Sequence, residues 1–394
     1  MRILMFFPSR IDYLPPLLIA AASMSDLGAK VLVVASDSSL ETVKYLHRHD
    51  VEVRVVRECD HPKTYRGRAI LRARVGMALV RQVLSFKPDC LWYHGEYAME
   101  YSFIPGLNVR KVIVAHAHEL CDREYFLQKV LDITLRRADL VVVPEVNRLW
   151  MLKMRSRSRA RFFEIPNRPL RDALCRVDEA SCSKDVFVRN GGSERCDRFL
   201  IYQGAFMEGR CLREIVYAFQ SVKGEDLGLI LLGGGLAGDL TRELKSLARS
   251  DRRIAVVSRV PPPNHLTITA GCTGGILLYA PLELNNIYCA PNKLYEYAAM
   301  GLGMILPDYP GLSTLSRIFG FGEVCDPEDT VSIRMAMEKV LAKGQAHYRH
   351  ATSLFLESSP TPEAMYEYIH KGILERMEHR KSRGFNQSGE VGRS

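Results

Sequence analysis

Apolar and polar positions along the 394-residue chain fall into two alternating kinds of stretch. Short continuous apolar runs rich in branched residues predict buried strands at Ile3–Phe7, Val31–Ala35, Cys90–Tyr93, Val112–His116 and Leu140–Val143, and Val51–Val56 is read as extended. Longer stretches with apolar residues three and four apart predict helices over Leu17–Leu27, Leu40–His49, Ala69–Phe86 and Phe126–Arg137. Strand-helix alternation of this kind builds a parallel sheet with helices on both faces. The rhythm dissolves from Pro166 to Asp197 and then restarts. Strands are expected at Phe199–Tyr202, Leu229–Leu232, Ile254–Val257, Gly275–Tyr279 and Met304–Leu306, with helices at Leu212–Gln220 and about Asp239–Ala248. The chain thus divides into an α/β domain over 1–170, a linker over 171–197 and a second α/β domain over 198–355, with a disordered tail over 382–394. Two doubly wound halves suggest a cleft between lobes, and ligands of such sheets bind at the carboxyl ends of the strands.

Composition is that of an ordinary soluble protein. The net charge of +9 is carried by one half: residues 1–200 hold 33 Lys and Arg against 24 Asp and Glu, while residues 201–394 hold 21 of each. A basic half points to a phosphorylated or anionic partner. One basic run comprises Lys63, Arg66, Arg68, Arg72, Arg74 and Arg81. The other, Lys153 to Arg161, follows Leu149-Trp150-Met151-Leu152 and has the make-up of a segment that touches a membrane surface or a lipid-diphosphate acceptor. A solvated helix face is the alternative for each. The ten cysteines show no C-x-x-C pair or regular spacing, which suits reduced thiols in a cytosolic protein, with Cys90 and Cys272 buried beside strands. Leu4–Phe7 and Leu14–Ala22 are too short to span a bilayer, so a cytoplasmic protein, soluble or peripheral on the membrane, is expected.

The densest chemistry lies in Asn285–Gly311. Pro291 suits the first position of a short helix and Gly301 the left-handed residue that ends it. The first turn carries Asn292 and Lys293, the next Glu296. Free N–H groups, the partial positive charge of a helix start and a lysine together favour phosphate. A carboxylate one turn on repels phosphate but accepts hydrogen bonds from sugar hydroxyls. An ordinary i, i+3 surface pair is the plain alternative.

Pro291-Asn292-Lys293-Leu294-Tyr295-Glu296, then Gly301, a buried strand and Asp308-x-Pro310-Gly311, resembles the nucleotide-sugar site of the family-4 retaining glycosyltransferases. The resemblance implies two Rossmann-like lobes in the GT-B architecture, with a terminal helix near 360–380 crossing back to the first lobe. It implies transfer of a hexose or related sugar from a nucleoside diphosphate to an acceptor hydroxyl with retention, in polysaccharide or glycolipid synthesis. Carbohydrate or lipid-linked acceptors are the expected partners, no nucleic acid is, and the nucleotide sugar is a co-substrate with no cofactor. Leu294, Asn292 and Glu296 would bind the donor. The Tyr288 position holds a second glutamate in many members, and the loop Pro8–Asp12 lacks their glycine pair. An epimerase or phosphorylase on the same fold, or a non-catalytic nucleotide-binding protein, are the alternatives.

Four further segments fit this frame. Gly233-Gly234-Gly235-Leu236-Ala237-Gly238 matches G-x-G-x-x-G, but Ser258 and Arg259 stand where a dinucleotide site wants an acid. Gly233 and Gly235 read better as a tight turn whose bare backbone approaches the donor. Gln203–Arg210 ends a strand: Gly204 gives backbone room, and Arg210 offers a guanidinium to phosphate oxygens, where family members carry a further arginine at the Ala205 position. His116-Ala117-His118-Glu119 places two histidines on one side of an extended segment, so zinc has to be weighed. More ligands would be needed and no nearby His or Cys motif supplies them, so no metal is expected. The resemblance puts His118 against the transferred sugar or the acceptor, with Glu119 beside it. Glu96, at another strand end, is placed to meet acceptor hydroxyls or else solvent.

Arg210 and Lys293, with the helix start, would stabilise the charge that develops on the leaving diphosphate without a metal, and no Asp-x-Asp motif is present.

Overall fold

The computed structural model describes residues 1–56, 64–169, 182–235, 238–260, 264–289 and 291–389. The chain forms two compact units, one from Met1–Pro166 with Thr361–Ser394, the other from Asn167–Pro360. Each is built on one parallel sheet.

The first sheet contains β1 (Arg2–Arg10), β2 (Lys30–Asp37), β3 (Glu52–Val55), β4 (Cys90–His94), β5 (Val112–His116), β6 (Leu140–Val143) and β7 (Arg161–Glu164), in the order β3-β2-β1-β4-β5-β6-β7. Successive residues serve opposite faces, as the period of a strand requires. Leu4, Phe6, Leu91, Tyr93, Ile113 and Ala115 join one core with residues of the helices Tyr65–Phe86 and Tyr125–Arg137. Ile3, Met5, Cys90, Trp92, Val112 and Val114 join the other, with the helix Pro15–Asp26 and with Tyr366, Ile369 and Ile373 of the terminal helix Pro362–Gly389. That helix runs past the position where a disordered tail was expected, and 390–394 lie outside the described residues.

The second sheet contains β8 (Arg198–Ala205), β9 (Leu227–Gly234), β10 (Ile254–Ser258), β11 (Gly274–Ile276), β12 (Gly303–Pro307) and β13 (Gly322–Cys325), ordered β10-β9-β8-β11-β12-β13. The expected linker 171–197 is not all connection: Cys182–Arg189 is a helix, and Phe187 is buried against Phe199 in the core of this unit. Residues 170–181 of that span lie outside the described residues. The helix expected from Pro291 runs Asn292–Ala299, with Pro291 the extended residue before it; Gly301 has φ of 70°, as a left-handed terminator does. Among the described residues no helix is long and apolar enough to cross a membrane. Cys90 and Cys272 are buried, and the described cysteines form no disulfide.

Candidate functional site

In the second unit three sequence-distant segments meet: the carboxyl ends of β8 and β11 and the start of the helix Asn292–Ala299. Lys293 rises from the first turn of that helix and lays its ammonium 4.2 Å from the ring centre of Tyr202 and 5.8 Å from that of Tyr279. Arg210 stacks on the same Tyr279 ring at 4.3 Å. A cation over an aromatic face gains from the ring quadrupole, but the contact leaves the charge unneutralised. Among the described residues no carboxylate lies within ion-pair distance of either group. Both cations are partly buried. Burial, with the positive charge of Arg210 beside it, pushes the Lys293 ammonium down to about 7, against which Glu296 works. Two like charges are thus held together, short of counter-charge.

Gly204 belongs to this wall. Its φ is 138°, and a β-carbon there would stand 2.8 Å from Nζ of Lys293. Only a residue without a side chain leaves the lysine its place. The helix start adds donors: Pro291 forms no side-chain cap, so the amides of Asn292 and Lys293 are not capped by it. Leu294 sits differently. Its side chain is buried in the core, and its amide donates to the carbonyl of Pro291 at 3.2 Å. Leu294 therefore anchors the helix from below.

Gly233 and Gly235 are bare for a reason the sequence did not disclose. A β-carbon at Gly233 would lie 1.8 Å from the carbonyl oxygen of Gly204, and one at Gly235 2.0 Å from that of Phe206. The ends of β8 and β9 pack backbone to backbone, with the Phe206 amide donating to the Gly234 carbonyl at 3.0 Å. Close strand packing accounts for both glycines, whatever approaches the turn. Leu236 and Ala237 lie outside the described residues.

Glu296 is no surface residue. It accepts a hydrogen bond from the Gln203 side-chain amide and lies 3.4 Å from Nε2 of His265. Gln203 accepts in turn from the Thr269 hydroxyl at 2.6 Å. Tyr202, Tyr279, Gln203, His265 and Thr269 were not singled out from sequence. The usable signal was position, since Tyr202 and Gln203 lie in the carboxyl half of β8 and Tyr279 lies just past β11.

The first unit gathers the other predicted residues. His94 ends β4 and His116 ends β5, and they are register partners. Both project to the face that carries Trp92, whose ring stacks on His94 at 5.4 Å. His118 follows two residues later, its ring 4.2 Å from that of His116. The expectation of no metal rested on the lack of a third ligand close in sequence. That premise fails, because the neighbouring strand supplies His94, and imidazole nitrogens of all three lie within 4.8 Å of one another. Burial pushes all three imidazoles down, His118 to about 3 with Arg148 contributing.

Glu96 does not face solvent. It is buried, and one carboxylate oxygen accepts the amides of His118 at 2.7 Å and Glu119 at 2.6 Å. Burial, with Glu119 adding negative charge, lifts its carboxyl to about 7, against the pull of those amides. Glu119 is exposed, 3.6 Å from Arg148, which also donates to the His118 carbonyl.

The second basic run is partly turned inward. Arg155 donates to Asp132 at 2.8 Å and to the Leu120 carbonyl at 2.7 Å, while Lys153 lies over Trp150 and Phe162. Trp150 and Met154 remain exposed. Of the first run, Arg72 and Arg81 line a groove of about 550 Å³ with Met77, Glu100, Tyr101 and Ile104, none of them a predicted site residue. Lys63 lies outside the described residues.

No family model matches the chain, and neither does any curated protein. Solved structures do. HepE of Anabaena in complex with UDP-glucose matches with a TM-score of 0.69 at 15% identity, over 96% of this chain and 100% of that one. A glycosyltransferase from Rickettsia africae matches with a TM-score of 0.67 at 12% identity, over 95% and 98% of the two chains. WaaG, a glycosyltransferase of lipopolysaccharide biosynthesis, matches with a TM-score of 0.65 at 13% identity, over 95% and 99%. At these identities the likeness establishes the fold, which is GT-B.

Proposed function

We propose that this chain moves a sugar from a nucleoside-diphosphate sugar to an acceptor hydroxyl, with retention, in polysaccharide or glycolipid biosynthesis. The observation that carries the reading is the pair Arg210 and Lys293, both short of counter-charge, set around one tyrosine beside a bare Gly204 and an uncapped helix start. The same fold holding UDP-glucose in HepE supports it.

In this reading the diphosphate lies against the two cations and the amides of Asn292 and Lys293. Breaking the anomeric bond leaves negative charge on the β-phosphate oxygen. The guanidinium and ammonium stabilise that charge as it grows, from a partly dehydrated site where such contacts count for more than in water. The arriving anion also restores the Lys293 proton that burial weakens. Glu296, fixed by Gln203, offers its remaining acceptor capacity to the ribose. The departing phosphate takes the acceptor proton on the same face of the sugar, so no side-chain base is required and configuration is kept. His118 and Glu119 belong to the sugar or acceptor side.

The deciding experiment incubates the full chain with UDP-, GDP- and ADP-sugars, with and without a lipid-linked or oligosaccharide acceptor, after a thermal-shift screen has chosen the nucleotide. Acceptor-dependent release of nucleoside diphosphate and a product of retained anomeric configuration are expected. An epimer, a free sugar or a sugar phosphate formed without acceptor would give the site to an epimerase or phosphorylase. Binding without turnover would leave a nucleotide-binding protein.

A further inference from the structure

We propose that His94, His116 and His118 form a binding site for a zinc-class divalent ion in the first unit, with a coordination position left open. The inference does not depend on the donor site.

The first ground is placement. Two of the ligands end adjacent strands in register, and the third lies two residues beyond on the same chain. Their nitrogens lie within 4.8 Å of one another. Zn–N bonds of about 2.0–2.1 Å require tetrahedral ligand nitrogens about 3.3 Å apart. Closing the remaining gap requires rotation about side-chain torsions, which would unstack the His116 and His118 rings, now 28° from parallel.

The second ground is what these rings lack. His94 is fully buried and His116 is 1% exposed. Both ring nitrogens of His94, Nδ1 of His116 and Nε2 of His118 are buried with no hydrogen-bond partner among the described residues. A buried polar atom left unpaired is costly, and three such residues side by side in an apolar core repeat the cost. A phenylalanine would fill the same space without it. A cation accepting their lone pairs removes it.

The chemistry of the set narrows the ion. Three neutral imidazoles with no oxygen or thiolate ligand suit zinc and its transition-metal neighbours, and do not suit magnesium or calcium. Charges nearby divide: Arg148 opposes a cation, while Glu119 and the buried Glu96 favour one. Glu96 also holds the backbone of His118 and Glu119, the kind of outer contact that orients a ligand. Three protein ligands leave a fourth position for water or a substrate hydroxyl.

The test titrates Co²⁺ alone into the full chain, produced without a histidine tag and treated with chelator. One equivalent is expected to saturate a visible d–d spectrum of a low-coordinate site, to show no near-ultraviolet thiolate band, and to be displaced by Zn²⁺. H118Q, at the less buried ligand, should fold as the parent does. It is expected to weaken Co²⁺ binding by about 100-fold or more, beyond the 10–100-fold typical of outer-shell changes. H94Q is expected to do the same, provided its melting curve and circular dichroism match the parent. Absence of stoichiometric uptake, uptake unchanged in H118Q, or a thiolate band would each overturn the proposal.

Discussion

The two units leave opposite electrostatic demands unmet. In the second, Lys293 and Arg210 are positive groups crowded together, and an anion relieves the crowding. In the first, three imidazoles stand together with their lone pairs unmet, and a cation would relieve them. Both sit at the carboxyl ends of parallel strands, where neighbouring loops diverge and leave room. The same sheet architecture thus presents an electrostatic want of either sign, decided by a few residues at strand ends.

The sharpest attack on this contrast removes a cation. K293A and R210A are each expected to lower turnover by about 10²-fold or more, roughly 3 kcal/mol of lost stabilisation, with melting temperature little changed. Wild-type turnover in either variant would show that the donor pole is not where the charge develops. Next comes the buried acid of the first unit. E96A strands the amides of His118 and Glu119 and is expected to cost about 1–3 kcal/mol in denaturant unfolding, leaving UDP affinity unchanged. A loss of UDP affinity in E96A would break the separation of the two poles.

Smaller and more diagnostic is pH. Lys293 in the free protein is near 7, and a bound diphosphate favours its charged form, so UDP binding must take up a proton above that pH. Affinity is expected to fall by up to about tenfold per pH unit between 7.5 and 9, the limit for one linked proton. Calorimetry in buffers of different ionisation enthalpy reads the uptake directly. Proton release, or none, would mean that Lys293 does not face the phosphates. The smallest effect belongs to E296Q, which keeps the shape of the network but loses the charge. UDP affinity is expected to drop by about fivefold, roughly 1 kcal/mol, in a competition assay. An unchanged affinity would make Glu296 purely structural.

Much of the fold was legible because strands and helices of the core announce themselves through period and length. β7 and β13 were missed: Arg161–Glu164 is bounded by charge, Gly322–Cys325 starts on a glycine, and each is an edge strand only four residues long. The helix Cys182–Arg189 was hidden in a stretch whose glycines and charges read as connection. The Lys293 helix could be read because its chemistry is contiguous in sequence. The aromatic walls could not, since Tyr202 and Tyr279 look like ordinary strand residues until the sheet is assembled. The histidine trio was half legible. His116 and His118 are neighbours in the chain, but His94 reaches them only through strand pairing, which no local pattern encodes. Gly233 and Gly235 suggested backbone room for a ligand, and the structure gives them a second reason to be bare, the neighbouring strand end.

The return of the helix Pro362–Gly389 to the first unit has a bearing on biosynthesis. Tyr366 sits with its ring 6.2 Å from Trp92, and Ile369 and Ile373 complete the same core. During translation the first sheet must therefore wait, one face only partly covered by the helix Pro15–Asp26, while the whole of the second unit emerges. A chain ending at Pro360 would carry all of the second unit attached to a first one that lacks part of its core.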